Sequence, residues 1–415
     1  MKLMLKKKLK IQRTMKPAIN IQFNNGVIGA VTPLQTGVFG FIASAVAISD
    51  TFALNKAYQL KSMKDVADLG INASMDNYRL YKALSEFFAE AGEGQEVWIY
   101  GMPKTAKVSE FFTENNGVTP AEELLNSAGG RLRGLFTVYD PATPVDLDGA
   151  EIDPDIEVSA AAAQALFESY TAVKYAPFFT VLEGYAFQGD KVELPSLLTN
   201  SWNSVAVLIG DTESRSGVTA SQGAAVGVLA GRLAAYSPRV NPGKVRNGAL
   251  VPTEMFVVDT PVENYDNEAL YDKGYICFTT HAGRSGYYFM DANTATQVSD
   301  DYHYLTHRRI INEAFRLSYD ALLDFLLDEV PANVDGTIQA IYAKTMESAV
   351  VRRISTAMPE DLSSDQMDPK DVGVKCFVDP NQNIVSTSKV QVNVSVRPFG
   401  YNRWIEVLLG FDLTN

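Results

Sequence analysis

The chain has 415 residues, 36 Lys+Arg against 49 Asp+Glu, and 46% hydrophobic side chains, enough apolar material for one large core or two ordinary ones. A charged fraction of 20% with 29 Gly and 18 Pro excludes disordered, collagen-like and coiled-coil chains, each of which needs a strong compositional bias. The net charge of −13 argues against nucleic acid as a partner, because a phosphate backbone is bound through clustered Lys and Arg.

No apolar run reaches the roughly 18 residues of a spanning helix, so no membrane insertion is expected. Charge is uneven along the chain: residues 1–49 hold no Asp or Glu, while Lys2, Lys6, Lys7, Lys8, Lys10, Arg13 and Lys16 crowd the start. Met1–Thr14 lacks the apolar centre of a secretory signal and reads as a basic tail, with Met15 an alternative start. Cys277 and Cys376 form at most one bridge, which suggests a reducing compartment.

Ile19-Asn20-Ile21-Gln22-Phe23 alternates as a short strand before the turn Asn24-Asn25-Gly26. Gly37 to Ile48 fits a buried strand, with a buried helix segment equally compatible with its periodicity. Ser62-x-x-Asp65 resembles a capping box, Asp76 opens a helix that Gly92 ends, and Glu96 to Tyr100 is a strand. Thr119-Pro120-Ala121-Glu122 starts a helix stopped by Gly129-Gly130, and Leu135 to Tyr139 is a strand. After a Pro- and Asp-rich connection over Asp140 to Glu157, Ser159 caps a helix to about Lys174. Strands at Phe178 to Leu182 and Ser204 to Ile209 and a helix over Gly217 to Tyr236 follow. This alternation predicts an α/β fold with a mostly parallel, helix-covered sheet core.

The last third differs. Gly274 to Thr279 and Gly286 to Met290 read as two strands, and Leu305 to Glu329 as a long helix with Ile311, Ala314, Phe315, Ser318, Leu322, Phe325 and Leu326 on one face. A second helix runs near Ile338 to Ile354, and alternating residues predict strands at Val390 to Val396 and Ile405 to Leu413. The expected organisation is a basic tail and N-terminal arm over 1–25, an α/β core over 26–300, a C-terminal helix and strand domain over 301–400, and a C-terminal strand arm over 401–415.

No catalytic, cofactor-binding or metal-ligating set emerges. His303-x-x-x-His307 lacks the HExxH glutamate, and His281 stands apart. The acidic loop Asp146, Asp148, Glu151, Asp153, Asp155 and Glu157 does not match an EF-hand. Gly210-Asp211-Thr212 follows a strand without a Walker sequence, and Gly223, Gly227 and Gly231 form a packing stripe inside a predicted helix. Gly283-Arg284-Ser285-Gly286 is not a nucleophile elbow. The two termini read instead as loose strands, fitted either to their own sheet or to strand addition between copies.

Leu229-Ala230-Gly231-Arg232 with Ser237-Pro238-Arg239-Val240-Asn241-Pro242 is followed by Gly274-Tyr275-Ile276-Cys277 and Gly286-Tyr287-Tyr288. Tyr304-Leu305-Thr306-His307-Arg308-Arg309-Ile310-Ile311-Asn312 comes next, then Cys376-Phe377-Val378-Asp379 and the closing strands from Val390 through Leu413. This order resembles the tail sheath proteins of contractile phages and related injection machines, over about half the chain. Arg239-Val240 departs from the family's Pro–Asn loop.

The resemblance implies a C-terminal α+β sheath domain, extended terminal strand arms and a non-enzymatic structural subunit without cofactor. Its partners would be further copies in helical sheath rings, an inner tail tube protein, and baseplate and tail terminator proteins. Its place would be a virion tail assembled in the bacterial host cytoplasm. Carried onto this chain, the intersubunit arms are Ile19, Ile21 and Phe23, and Ile405, Val407, Leu409, Phe411 and Leu413. Clustering on one helix of an acidic chain marks Arg308, Arg309 and Arg316 as tube-facing candidates. A non-contractile tail or baseplate protein and a doubly wound hydrolase are the alternatives.

Overall fold

The computed structural model describes residues 35–411 except 75, 116 and 218–221; the arm residues Ile19, Ile21, Phe23 and Leu413 lie outside them. The strand expected after Gly37 forms β1 (Phe39–Ala45), buried at every position. β2 (Ala57–Leu60), α1 (Met63–Asp68), α2 (Tyr78–Ala91), β3 (Val97–Pro103), α3 (Pro120–Ser127), β4 (Gly134–Val138), α4 (Asp155–Lys174) and β5 (Phe179–Glu183) follow. Beyond them come β6 (Ser201–Trp202), β7 (Val205–Leu208) and α5 (Val226–Ala235).

Six strands form one sheet in the order β2-β3-β1-β4-β5-β7. Only β2 runs antiparallel to its neighbour, because the chain turns back from β1 into β2 through the short helix-free stretch 46–56 and not through a helical crossover. β1, β4, β5 and β7 are covered on both faces, so their residues are continuously apolar and do not alternate. Phe39, Phe41, Phe136 and Phe179 fill one layer with ring centroids 5.3 to 5.9 Å apart. The glycine stripe is used for packing: a Cβ on Gly227 would lie 2.2 Å from the Ala83 carbonyl oxygen, and one on Gly231 2.6 Å from that of Phe87. These two glycines let α5 approach α2 backbone to backbone.

Several element ends differ from expectation. Ser62 accepts from the Asp65 N–H as a cap should, but the Asp65 carboxylate returns its bond to Lys61 N–H, not to Ser62. Thr119 makes no side-chain cap bond. Ser159 is no cap: α4 begins at Asp155, and the Ser159 hydroxyl donates to the Asp155 carbonyl one turn back. α5 starts at Val226, not Gly217.

The chain then forms two short pairs, β8 (Phe256–Val257) with β9 (Thr260–Pro261), and, after α6 (Asn267–Tyr271), β10 (Phe278–Thr279) with β11 (Tyr288–Phe289). β12 (Ala295–Thr296) pairs with β6. α7 (Leu305–Leu323) and α8 (Ala340–Ala357) pack on the antiparallel hairpin of β13 (Val374–Val378) and β14 (Val392–Val396), whose loop holds α9 (Ile384–Thr387). Ile310, Ala314, Leu317 and Ala321 of α7 meet Val350 and Ile354 of α8 in a second core. The buried stripe of α7 is thus rotated from the expected one, and Phe315 and Leu326 are exposed. No strand forms over the described part of Ile405 to Leu413: within this one chain its backbone groups face no ladder partner, and an extended segment needs one to count as a strand.

Candidate functional site

Open α/β sheets bind ligands at the carboxyl ends of their strands. Here that crevice is occupied by side chains. Arg79 and Lys82 lie one turn apart on α2 and reach over the sheet to Glu183, at the end of β5, and Asp211, just past β7. Arg79 Nη1 donates to Asp211 Oδ2 at 3.0 Å and its other amino group pairs with Glu183. Lys82 pairs with Asp211 and, at 2.6 Å, with Glu86, which also accepts from the Thr212 hydroxyl at 2.6 Å. Glu183 further accepts from Tyr139 N–H at 2.5 Å and Ala224 N–H at 3.1 Å.

Burial works against charge at Asp211, but Lys82 and then Arg79 outweigh it and hold the carboxyl at about 2. Burial pushes the Glu86 carboxyl upward. The cavity left beside this network measures ≈ 20 Å³, space for little more than one water. In the sequence only Asp211 stands at a strand end; Arg79, Lys82 and Glu86 share one face of α2 by their i, i+3, i+7 spacing, and the fold brings that face over it.

The histidines do structural work. His303 is buried, which lowers its pKa, and its Nδ1 donates to the Thr296 carbonyl at 3.1 Å; His307 Nδ1 lies 3.2 Å from the Asp301 carbonyl. Among the described residues no cluster of His, Cys, Asp or Glu is arranged to hold a metal.

The arginines expected to face a tube are engaged inside the chain. Arg308 donates to the Asn203 carbonyl at 3.0 Å and lies 4.1 Å from the Tyr302 ring centroid. Arg309 donates to the Leu233 and Tyr236 carbonyls at 2.9 and 3.2 Å, the open C-terminal end of α5. Arg316 donates to the carbonyls of Gly130, Leu132 and Pro177. Arg308 and Arg309 are buried, so the tube-facing expectation has no exposed guanidinium to rest on at either position. The three charges tie α7 to the sheet body instead.

The C-terminal segment is the unusual surface. Arg397 N–H donates to the Gly373 carbonyl at 2.8 Å, closing the β13–β14 hairpin. The Tyr401 hydroxyl donates to the Arg239 carbonyl at 2.7 Å, and Arg403 Nε donates to Asp291 Oδ2 at 2.7 Å with its guanidinium 3.3 Å from the Tyr304 ring centroid. Beyond Arg403 the chain is apolar and uncovered: Trp404 is 87% exposed, Ile405 and Val407 73%, Leu409 94% and Phe411 96%. Exposed apolar runs of this size are of the kind that mark interaction surfaces. Among the described residues β13 and β14 pair with no third strand, and the Val378 N–H at the end of β13 donates to Glu347 Oε1 at 2.9 Å.

The whole chain superposes on solved sheath chains. It matches the contracted helical sheath of the anti-feeding prophage with a TM-score of 0.61 at 15% identity, covering 97% of this chain and 100% of that one. A chain of the six-fold symmetrised baseplate of the same prophage matches at 0.57 and 16%, covering 96% and 100%. The contracted PVC sheath complex, from an extracellular contractile injection system, matches at 0.53 and 15%, covering 97% and 99%. The fold is therefore that of contractile-system sheath chains. No curated protein matches the sequence. The chain belongs to the DUF2586 family, whose N-terminal domain matches residues 16–293 and whose C-terminal domain matches residues 301–415.

Proposed function

We propose that this protein is the subunit of a contractile sheath, which polymerises as helical rings around an inner tube and contracts to drive that tube through a target envelope. The observation that carries the reading is the exposed apolar run from Trp404 to Phe411, set on a sheath fold beside a hairpin that pairs with no third strand among the described residues. In an assembled sheath the C-terminal arm, with Ile405, Val407, Leu409, Phe411 and Leu413, adds as a strand to a second copy, and Ile19, Ile21 and Phe23 serve as the N-terminal arm. About five main-chain hydrogen bonds at roughly 0.5–1.5 kcal/mol each give about 2.5–7 kcal/mol per contact, modest singly and large over a lattice.

Contraction then draws on subunit packing and not on a nucleotide, as bistable interfaces allow; the ion pairs filling the sheet crevice agree with this. Further partners are baseplate and tail terminator proteins, in a virion tail or related particle put together in the bacterial cytoplasm. The test is deletion of residues 404–415. The expected product is a folded subunit, with wild-type circular dichroism, that forms no tubes under negative-stain microscopy; tubes from the truncated protein would refute the arm's role.

A further inference from the structure

The segment after the hairpin divides sharply at one residue. Phe399 to Arg403 is tied to the body, while Trp404 onward touches almost nothing. The tied part crosses the rim of an open groove of ≈ 960 Å³ between loop 239–245, α6 and the segment itself. Specific contacts, not burial, therefore hold it. Their hub is Asp291, a buried carboxylate that accepts from Arg403, from Asn241 Nδ2 at 2.5 Å and from Ala292 N–H at 2.7 Å. Tyr304, the residue that opens α7, supplies the ring under the guanidinium. Arginine suits both demands, since its planar group stacks on an aromatic face while one edge donates to a carboxylate.

We propose that Asp291, Arg403 and Tyr304 are positioning residues that fix the point where the C-terminal arm leaves the subunit and so aim it at a second copy. The inference rests on the arm-exchange reading above. With the clamp closed, the free tether is residues 404–415; with it open, the nearest tie is Tyr401, still bonded to the Arg239 carbonyl, and the tether becomes residues 402–415. At roughly 3.3–3.6 Å per residue the arm gains about 7 Å of reach. Its effective concentration at a neighbouring edge falls only about 1.3-fold, by the −3/2 power of tether length. Opening the clamp thus costs little affinity but removes the fixed vector that a regular helical lattice needs from every copy.

The experiment compares full-length wild type, Arg403→Ala and Arg403→Lys, each checked by circular dichroism. In the free subunit, amide hydrogen exchange at Arg403, whose N–H donates to the Tyr401 carbonyl at 3.0 Å, is expected to rise at least tenfold in Arg403→Ala, towards the rate of 405–411, and to rise less in Arg403→Lys, which keeps the charge but not the stacked plane. In electron micrographs Arg403→Ala is expected to form tubes whose diffraction loses its higher-order layer lines. Unchanged exchange, or tubes as regular as wild type, would overturn the proposal. So would complete loss of tubes, because Arg403 would then belong to the docking contact itself. If Arg403→Ala does not fold, Tyr304→Leu, which keeps the ion pair and removes the ring electrostatics, takes its place with the same expectations. Should wild type form no tubes, the arm-exchange reading fails, while exchange in the free subunit still decides whether the clamp exists.

Discussion

At Asp211 two cations from one helix converge on a single buried carboxylate, and its titration has a defined sign. The unfolded chain takes up a proton near the ordinary value of 3.8, whereas the folded subunit resists until about 2. Between these values the unfolded state binds more protons, so stability rises with pH: the contribution, roughly 2 kcal/mol, is complete above about pH 4 and disappears as pH falls to 2. Asp211→Asn is expected to cost about 3–5 kcal/mol at pH 7, because Arg79 and Lys82 lose a buried counter-charge. The gap between wild type and variant in urea unfolding should narrow by roughly 2 kcal/mol between pH 5 and pH 2. A gap that stays constant with pH would show that Asp211 is not held ionised. The sequence shows Asp211 in the loop after a strand, but nothing in it says that α2 lies over that strand end. Arg79, Lys82 and Glu86 become a site only through that placement.

α7 works as a connecting element with two unlike ends of contact. Its Ile310, Ala314 and Leu317 bury against α8, while Arg308, Arg309 and Arg316 reach into the body and satisfy carbonyls left open at the end of α5 and around β4 and β5. Arg316→Met is expected to orphan the Gly130, Leu132 and Pro177 carbonyls and cost about 3 kcal/mol. Chemical denaturation followed by circular dichroism measures it, and a loss under ~0.5 kcal/mol would mean that water replaces the guanidinium. The same arginines explain why the helix was legible and its face was not. A 3.6-residue period is visible in the sequence, but hydrophobicity counts arginine as outward, so the inferred stripe ran through Phe315 and Leu326 instead of Leu317 and Ala321. Element ends drifted too: Ser159 matches a cap by type, yet α4 starts four residues earlier, where Asp153 Oδ1 accepts from the Asp155 N–H at 2.9 Å and Ser109, distant in sequence, donates to the Asp155 carboxylate.

For the molecule as a whole, stability and assembly draw on separate surfaces. Leu409 and Phe411 bury almost nothing in one subunit, so the double change Leu409→Asp, Phe411→Asp is expected to leave thermal unfolding within ~0.5 kcal/mol of wild type. The same change places two carboxylates where apolar side chains should meet a second copy, and the fast-sedimenting species of wild type should be lost. Loss of thermal stability instead, with assembly intact, would mean that the arm packs on its own subunit.

The alternation of the main helices and strands through β7, the parallel character of the sheet, the close-packing glycines Gly227 and Gly231 and the apolar pattern of the terminal run are properties of local spacing and residue type, and they follow from the sequence by itself. The ion network in the crevice, the inward turn of the α7 arginines and the clamp at Asp291 depend on which distant segments meet. Charges and hydrogen bonds act over a few ångströms in space, whatever their separation along the chain, so tertiary structure alone decided those contacts.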